Sequence, residues 1–402
     1  MTDLPDYDAA LRLALTGIDA ITDTEMARVA DAAGRVLAAP IVADRDLPSF
    51  NRAQLDGYAL RASDLGRVES FPVVANIAAG QAADIRVEPG QCVKIATGAP
   101  LPDDVDSVIG HEQSDRGDPV RFTIRCIDPG HAVHPRGADA VTGDTLVASG
   151  TMLGPRHLGI AAAVGTDSIE VVRRPRVALL TSGDEVVATG APVATHQIRN
   201  SNGPMITAIV QRIGGGPVEH AHVLDDRQET IDAVAAALDT ADLLITVGGI
   251  SAGERDHFPD ALAANGVTLS VHGAAIQPGR PVMVGRTAGG TVTLGLPGNP
   301  VSALACTCLF GWPIIRALLG TDTALPWRWV ELAEGVKPNA RRSAFRPAIM
   351  VEADSRGERM RVPAWAGSGD LAHTAPTDGL LELPAQSEPV VAKTKLRFLP
   401  WP

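Results

Sequence analysis

Two kinds of apolar spacing alternate through the middle of the chain. Short, wholly apolar runs such as RVALLTSG, ADLLITVGG and TVTLGL are separated by stretches in which apolar residues recur every three or four positions: GPMITAIVQRIG, RQETIDAVAAALDT and DHFPDALAANG. VEHAHVL and VTLSVHGAAI read as further strands, and VSALACTCLFGWPIIRALLG as a long helix. Strands without a polar face, alternating with helices, predict a parallel-rich sheet covered on both sides.

The flanks read differently. DYDAALRLALTGI, TDTEMARVADAAGRVLA and, later, GPRHLGIAAAVG carry helical spacing, with Thr22 or Asp23 as an N-cap of the second. These helices are too short to bury a core alone and are predicted to pack on each other or on a second subunit. Between them, FPVVANIAAGQ, CVKIATGAPLP, SVIGHEQ and PVRFTIRCI are short apolar runs broken by Gly and Pro, which predicts a small β-rich unit. From about residue 326 the texture is β again, with joints such as VKPNA. The 402 residues are therefore expected to divide into a discontinuous helical linking and dimerisation domain (1–44 and 141–170), a β-rich domain (45–140), an α/β domain (171–325) and a C-terminal β domain (326–402).

An apolar fraction of 45% with 20% charged residues is ordinary for a globular protein. The net charge of −12 argues against nucleic acid or an anionic membrane as the main partner, but not against a small anion. Cys92, Cys126, Cys306 and Cys308 lack zinc-ligand spacing and read as reduced packing residues. His131 and His134 sit in a Pro/Gly loop with no third ligand at useful spacing. The acidic start, MTDLPDYDAALRLAL, has no signal-peptide pattern, and no segment approaches a charge-free span of about 20 apolar residues, so a soluble cytoplasmic protein is expected.

In an open α/β sheet, ligands bind beyond the carboxyl ends of the strands. Three turns there are unusual. In TSGDEVV, Ser182 and Gly183 make the turn, and Asp184 and Glu185 offer adjacent carboxylates able to share Mg²⁺ with a phosphate; the alternative is a helix-capping acidic turn. In VGGISAGERD, Gly248, Gly249 and Gly253 allow close backbone approach, and Glu254 or Asp256 adds a carboxylate, with a purely structural glycine turn as the alternative. In GLPGNPVSAL, Pro297, Gly298, Asn299 and Pro300 stiffen a turn that aims helix-terminal N–H groups at an anion, with Ser302 nearby; the alternative is a rigid connector.

The order GDE, GGISAGERD, QPGRP and GLPGNPVSAL, with FNRAQLDGYALR at 50–61, TGAPLP at 97–102, RGAD at 136–139 and AGSGDL at 366–371, closely resembles the MoeA family of molybdopterin molybdenumtransferases. The resemblance spans essentially the whole chain. It implies a multi-domain α/β protein: a Mog-like α/β domain with a parallel-rich sheet, a β-rich domain, a helical linking domain and a C-terminal β-barrel domain. It also implies a homodimer whose active site lies between the α/β domain of one subunit and the β-rich domain of the other. The reaction implied joins molybdate to the dithiolene of adenylylated molybdopterin and releases AMP with Mg²⁺ assisting. Transient contacts with the adenylyltransferase and with molybdoenzyme apoproteins or their chaperones follow from the same resemblance.

Carried over by matching motifs, Asp56, Thr97 and Asp139 are the expected catalytic residues of the β-rich domain, and Glu185 and Asp256 the catalytic carboxylates that also hold the metal. Asp225 or Asp226 of LDDR, Ser251 of GGISAG, Arg280 of QPGR, Arg346 and Ser368 join the turn residues as expected substrate contacts. Departures weaken the oxyanion site. Gln277 and Arg280 stand where the family usually has lysines, Asn51 to Leu55 where it tends to read Asp-Asn-Ser-Ala-Met, and Ala138 where it has glutamate. Arg52 is a candidate for returning the charge missing at Gln277. Two other readings compete: a paralogue that binds or carries molybdopterin or its molybdenum cofactor without catalysis, and a nucleotide-binding α/β enzyme unrelated to molybdenum, which leaves DGYA and the C-terminal domain unexplained.

Overall fold

The computed structural model describes residues 4–250, 256–355 and 357–402. The chain forms two compact units: Met1–Glu25 with Gly34–Val36 and Val171–Pro402, and Met26–Ala33 with Leu37–Glu170.

In the larger unit, six strands form one sheet: β1 (Val177–Ser182), β2 (Val218–Val223), β3 (Leu243–Val247), β4 (Thr268–His272), β5 (Met283–Arg286) and β6 (Val292–Leu296), in the order β2-β1-β3-β6-β5-β4. The pairs from β2 to β6 are parallel; β5 runs antiparallel to both β6 and β4. β3 and β6 are buried at every position, as the unbroken apolar runs LLITV and VTLGL require, whereas edge strand β2 exposes Glu219 to His222. Helices α1 (Asn202–Arg212), α2 (Arg227–Thr240), α3 (Phe258–Ala264) and α4 (Pro300–Cys306) alternate with the strands.

α4 continues through a π-helical turn at Thr307–Gly311 into Trp312–Leu318. The combined 19 residues are long and apolar enough to cross a membrane by length and composition, though with Arg316 among them they are not charge-free. Most of the helix is buried in this unit, so it is a core helix. The Tyr7 hydroxyl donates to the Leu309 carbonyl within this π-helical turn at 3.2 Å. Tyr7 opens the helix Tyr7–Leu15, capped by Asp6, and its ring meets Phe310, Trp327 and Phe345 edge-on. Burial pushes the Tyr7 phenol well above its ordinary range, so it stays a donor. This helix packs on the α/β core through Tyr7, Ala10 and Ala14.

The C-terminal region closes Arg328–Leu332, Ser343–Asp354, Gly357–Arg361, Gly379–Leu383 and Lys395–Pro400 into a five-stranded barrel. In the smaller unit, Val73–Ile77, Cys92–Ile95, Gly57–Leu60 and Ser107–Gly110 form a four-stranded sheet in that order. Gly57 is obligatory there, because a Cβ would lie 1.9 Å from the Ile109 carbonyl oxygen.

Two expectations fail locally. Thr24–Arg28 is a strand and only Val29–Asp31 turns helically, so the helical spacing of TDTEMARVADAAGRVLA yields to pairing in a two-stranded sheet. Cys126 is exposed and is not a packing residue, unlike buried Cys92, Cys306 and Cys308.

At the amino end of β3, Asp242 takes hydrogen bonds from the side chains of Arg173 (2.7 Å) and Arg176 (3.0 Å) and from the Arg176 N–H (2.6 Å). Burial raises its carboxyl, but these bonds outweigh that and bring it from the usual 3.8 down to about 2. A depressed carboxyl stabilises the fold above its unfolded value and ceases to do so as pH falls through its folded one. Asp242→Asn is therefore expected to lower Tm at neutral pH and to flatten the loss of stability between about pH 4 and pH 2, read from thermal melts across that range. Gly57→Ala is expected to destabilise the smaller unit by about 1–3 kcal/mol through overpacking, measured by denaturant unfolding.

Candidate functional site

Parallel register brings the three unusual turns together. Thr181 pairs with Val247 and Val247 with Leu296, so β1, β3 and β6 end side by side at Ser182, Val247 and Leu296. The chain leaves β1 toward β2 on one side and returns to β3 on the other, which makes the β1/β3 crevice a topological switch point. There a cavity of about 740 Å³ is lined by the predicted residues Ser182, Gly183, Glu185, Gly248, Gly249, Asp256, Pro297, Gly298, Asn299 and Pro300.

Each turn has a local reason for its shape. Gly248 and Gly249 have φ of 87° and 55°, where a side chain would be strained. The Glu185 side chain folds back over Gly183, whose added Cβ would lie 2.9 Å from the carboxylate. Pro300 takes the first helical position of α4. Asn299 Nδ2 donates to Ser368 Oγ at 2.9 Å, and the Val301 N–H donates to the Ser368 carbonyl at 3.0 Å, so Ser368 clamps the Pro-Gly-Asn-Pro turn. Asn202 Nδ2 binds the Gly298 carbonyl at 2.7 Å, while its buried Oδ1 has no partner among the described residues and suits a ligand donor.

Other predicted residues lie elsewhere. Asp184 accepts from the Asp225 N–H at 3.1 Å and ties the first turn to the loop after β2. Asp226 caps α2 by accepting from the Glu229 N–H at 2.9 Å; Asp225 is the aspartate of that pair that lines the cavity. Ser302 is buried outside the lining. Arg280 is exposed while neighbouring Pro281 lines the cavity, and Gln277 Oε1 accepts from Asn339 Nδ2 at 2.8 Å, so Gln277 braces the fold rather than facing a ligand. Arg346 stacks on Trp365, 5.0 Å from guanidinium carbon to ring centroid, and burial lowers its pKa. Ser251 and Gly253 lie outside the described residues.

In the smaller unit, Gly57 lies opposite Ile95, which sets Asp56 beside the turn that follows Ile95. The Thr97 N–H and hydroxyl donate to Asp56 Oδ1 at 2.7 and 2.9 Å and hold its carboxyl below the usual range. Asp139 instead pairs with His134 Nε2 at 2.9 Å. Arg52 and Arg45 line a separate cavity of about 410 Å³ in this unit.

The main cavity also contains residues that sequence reasoning missed: Arg199, Asn200, Ser201 and Asn202. The run Arg-Asn-Ser-Asn-Gly that leads into the first turn of α1 was the available signal, since such residues mark helix starts. With Glu185, Asp225 and Asp256 against Arg199, the walls carry more carboxylate than cation. Among the described residues no three His, Cys, Asp or Glu side chains could complete a metal shell unaided. Mg²⁺ typically takes one or two carboxylates and fills its shell with substrate phosphate and water; Glu185 and Asp256 are two carboxylates lining this cavity.

Comparison with known proteins agrees with this architecture. Residues 6–165 match the family described as MoeA N-terminal region (domain I and II), and residues 178–317 the one described as probable molybdopterin binding domain. A protein of Nostoc sp. named molybdopterin molybdenumtransferase is 30% identical, the match covering 91% of this chain and 86% of that protein. One of Mycobacterium tuberculosis named molybdopterin molybdenumtransferase 2 is 34% identical, with 91% and 92% covered. A crystal structure of the molybdopterin biosynthesis moeA protein from Pyrococcus horikoshii superposes with a TM-score of 0.85 at 26% identity, covering 99% of this chain and all of that one. Motifs, fold and relatives coincide over nearly the full length, and the chain belongs to the MoeA family.

Proposed function

We propose that this protein is a molybdopterin molybdenumtransferase, which joins molybdate to the dithiolene sulfurs of adenylylated molybdopterin and cleaves the phosphoanhydride to release AMP. The observation that carries this reading is the single cavity formed where β1, β3 and β6 end, combining carboxylates, close-approach glycines and a proline-stiffened helix start. The alternative of a non-catalytic carrier is not favoured, because the full-length relatives bear the transferase name.

In this reading, the backbone of Gly248, Gly249 and Gly298 lets the anhydride phosphates approach closely, and Asn202 Oδ1 offers an acceptor to the ligand. Glu185 and Asp256 would hold Mg²⁺, which supplies charge neutralisation at the phosphates. Asp225 and Arg199 orient the ligand from the opposite turns. Asp56, kept ionised by Thr97, acts as an acceptor, and Asp139 is held by His134. Ser368 acts by clamping the turn at Asn299. The four-domain division, the homodimer, a cytoplasmic setting and transient contacts with the adenylyltransferase and recipient apoproteins complete the proposal.

The test is single-turnover AMP release from adenylylated molybdopterin with Mg²⁺, with and without molybdate. Molybdate-dependent release is expected; tight binding with no release would sink the reading. Glu185→Gln, Asp256→Asn and Asp56→Ala are each expected to reduce the release rate by about a hundredfold while the melting temperature stays near wild type. Ser368→Ala, which removes only the Asn299 clamp, is expected to cost less, about tenfold.

A further inference from the structure

Beside the main cavity, β1 and β2 carry a polar cluster that the reaction above does not use. Thr181, 3% exposed, places Oγ1 3.0 Å from His220 Nε2, 3.0 Å from His222 Nδ1 and 2.9 Å from Asn200 Nδ2. His222 Nε2 lies 3.1 Å from the Gly183 carbonyl, and Asn200 Oδ1 accepts from the Gly203 N–H at 2.9 Å. A second cavity, of about 370 Å³, opens on His220, His222 and Asn200, and Asn200 also lines the main one.

The proton positions follow from donor and acceptor counting. A carbonyl only accepts, so His222 Nε2 must carry the proton toward Gly183. In a neutral ring Nδ1 is then bare and accepts the Thr181 O–H, the Ala221 carbonyl at 3.5 Å being a poorer partner. With its only proton spent, Thr181 Oγ1 accepts from Asn200 and from His220 Nε2–H. The bonds named need only one proton on each imidazole, and burial together with neighbouring His222 lowers the His220 pKa.

The chain ends this at the Gly183 carbonyl, two residues before Glu185. Gly183 has φ of 129°, which glycine reaches freely, and among the described residues its carbonyl also accepts from the Val186 N–H at 3.0 Å. We infer that Asn200, Thr181 and His222 form a positioning relay that fixes the Gly183–Glu185 turn and so sets the Glu185 carboxylate in the cavity. The inference rests on the reading that Glu185 works there. His222 and Thr181 act through that turn as positioning residues.

The test compares full-length wild type, Thr181→Val, Thr181→Ser and His222→Gln. Valine keeps the shape of threonine and removes the hydroxyl, serine restores it, and glutamine keeps an amide donor for Gly183. Thr181→Val is expected to lower kcat for molybdate-dependent AMP release by about tenfold or more with little change in KM, and Thr181→Ser and His222→Gln to recover most of it. Nitrogen-15 NMR of wild type is expected to show His222 as the Nε2–H tautomer, and Thr181→Val to lose that lock. A folded Thr181→Val variant with wild-type kcat, or a wild-type His222 found as the Nδ1–H tautomer, overturns the relay. Should wild type release no AMP, the functional reading fails by itself while the tautomer measurement still decides the relay; should Thr181→Val not fold, the wild-type spectrum decides it.

Discussion

Parallel pairing of β1, β3 and β6 is the constraint from which the site follows. Parallel strands in register must end together, and here they end at Ser182, Val247 and Leu296. Three turns separated by more than 40 residues in sequence are thereby forced into one crevice. The buried interior of β3 and β6 makes that register hard to slip, because a one-residue shift would exchange the faces presented to the helices on either side.

The two ends of this sheet are built for different purposes. At the amino end of β3, Asp242 is saturated by arginines and a backbone N–H, a fully compensated charge that only stabilises. At the carboxyl end, Asn202 keeps a buried acceptor without a partner among the described residues, and Gly248 and Gly249 take positive φ angles that a side chain would strain. Incomplete pairing at one end is tolerable because the rest of the sheet is so completely buried.

Much of this was legible in the sequence. The alternation of apolar runs and helical spacing located five of the six strands of the sheet, missing the four-residue β5, and reading the residues after each strand found the three turns, since both signals are local. Asp225 against Asp226 was harder: both follow β2, and only the spacing Asp226-Arg-Gln-Glu229, a capping pattern, separates the cap from the cavity residue. Gln277 shows the limit of matching motifs. Its position in QPGR suggested a lost oxyanion contact, but its amide is engaged by Asn339, a partner 62 residues away that no local pattern reveals. The Thr181 relay escaped for the same reason, being assembled from two strands and a loop, and Thr24–Arg28 became a strand because pairing outside the local window outweighed its helical spacing.

The bond from Tyr7 to the Leu309 carbonyl spans 302 positions. During synthesis at about 5–20 residues per second, the first helix emerges on the order of tens of seconds before the carbonyl that completes it exists. Throughout that interval the segment ending at Glu170 is already available to form its own sheet, whereas the opening helix has no finished surface to cover. The helix that carries Tyr7, Ala10 and Ala14 therefore completes its packing only after Leu309 and Phe310 have been made.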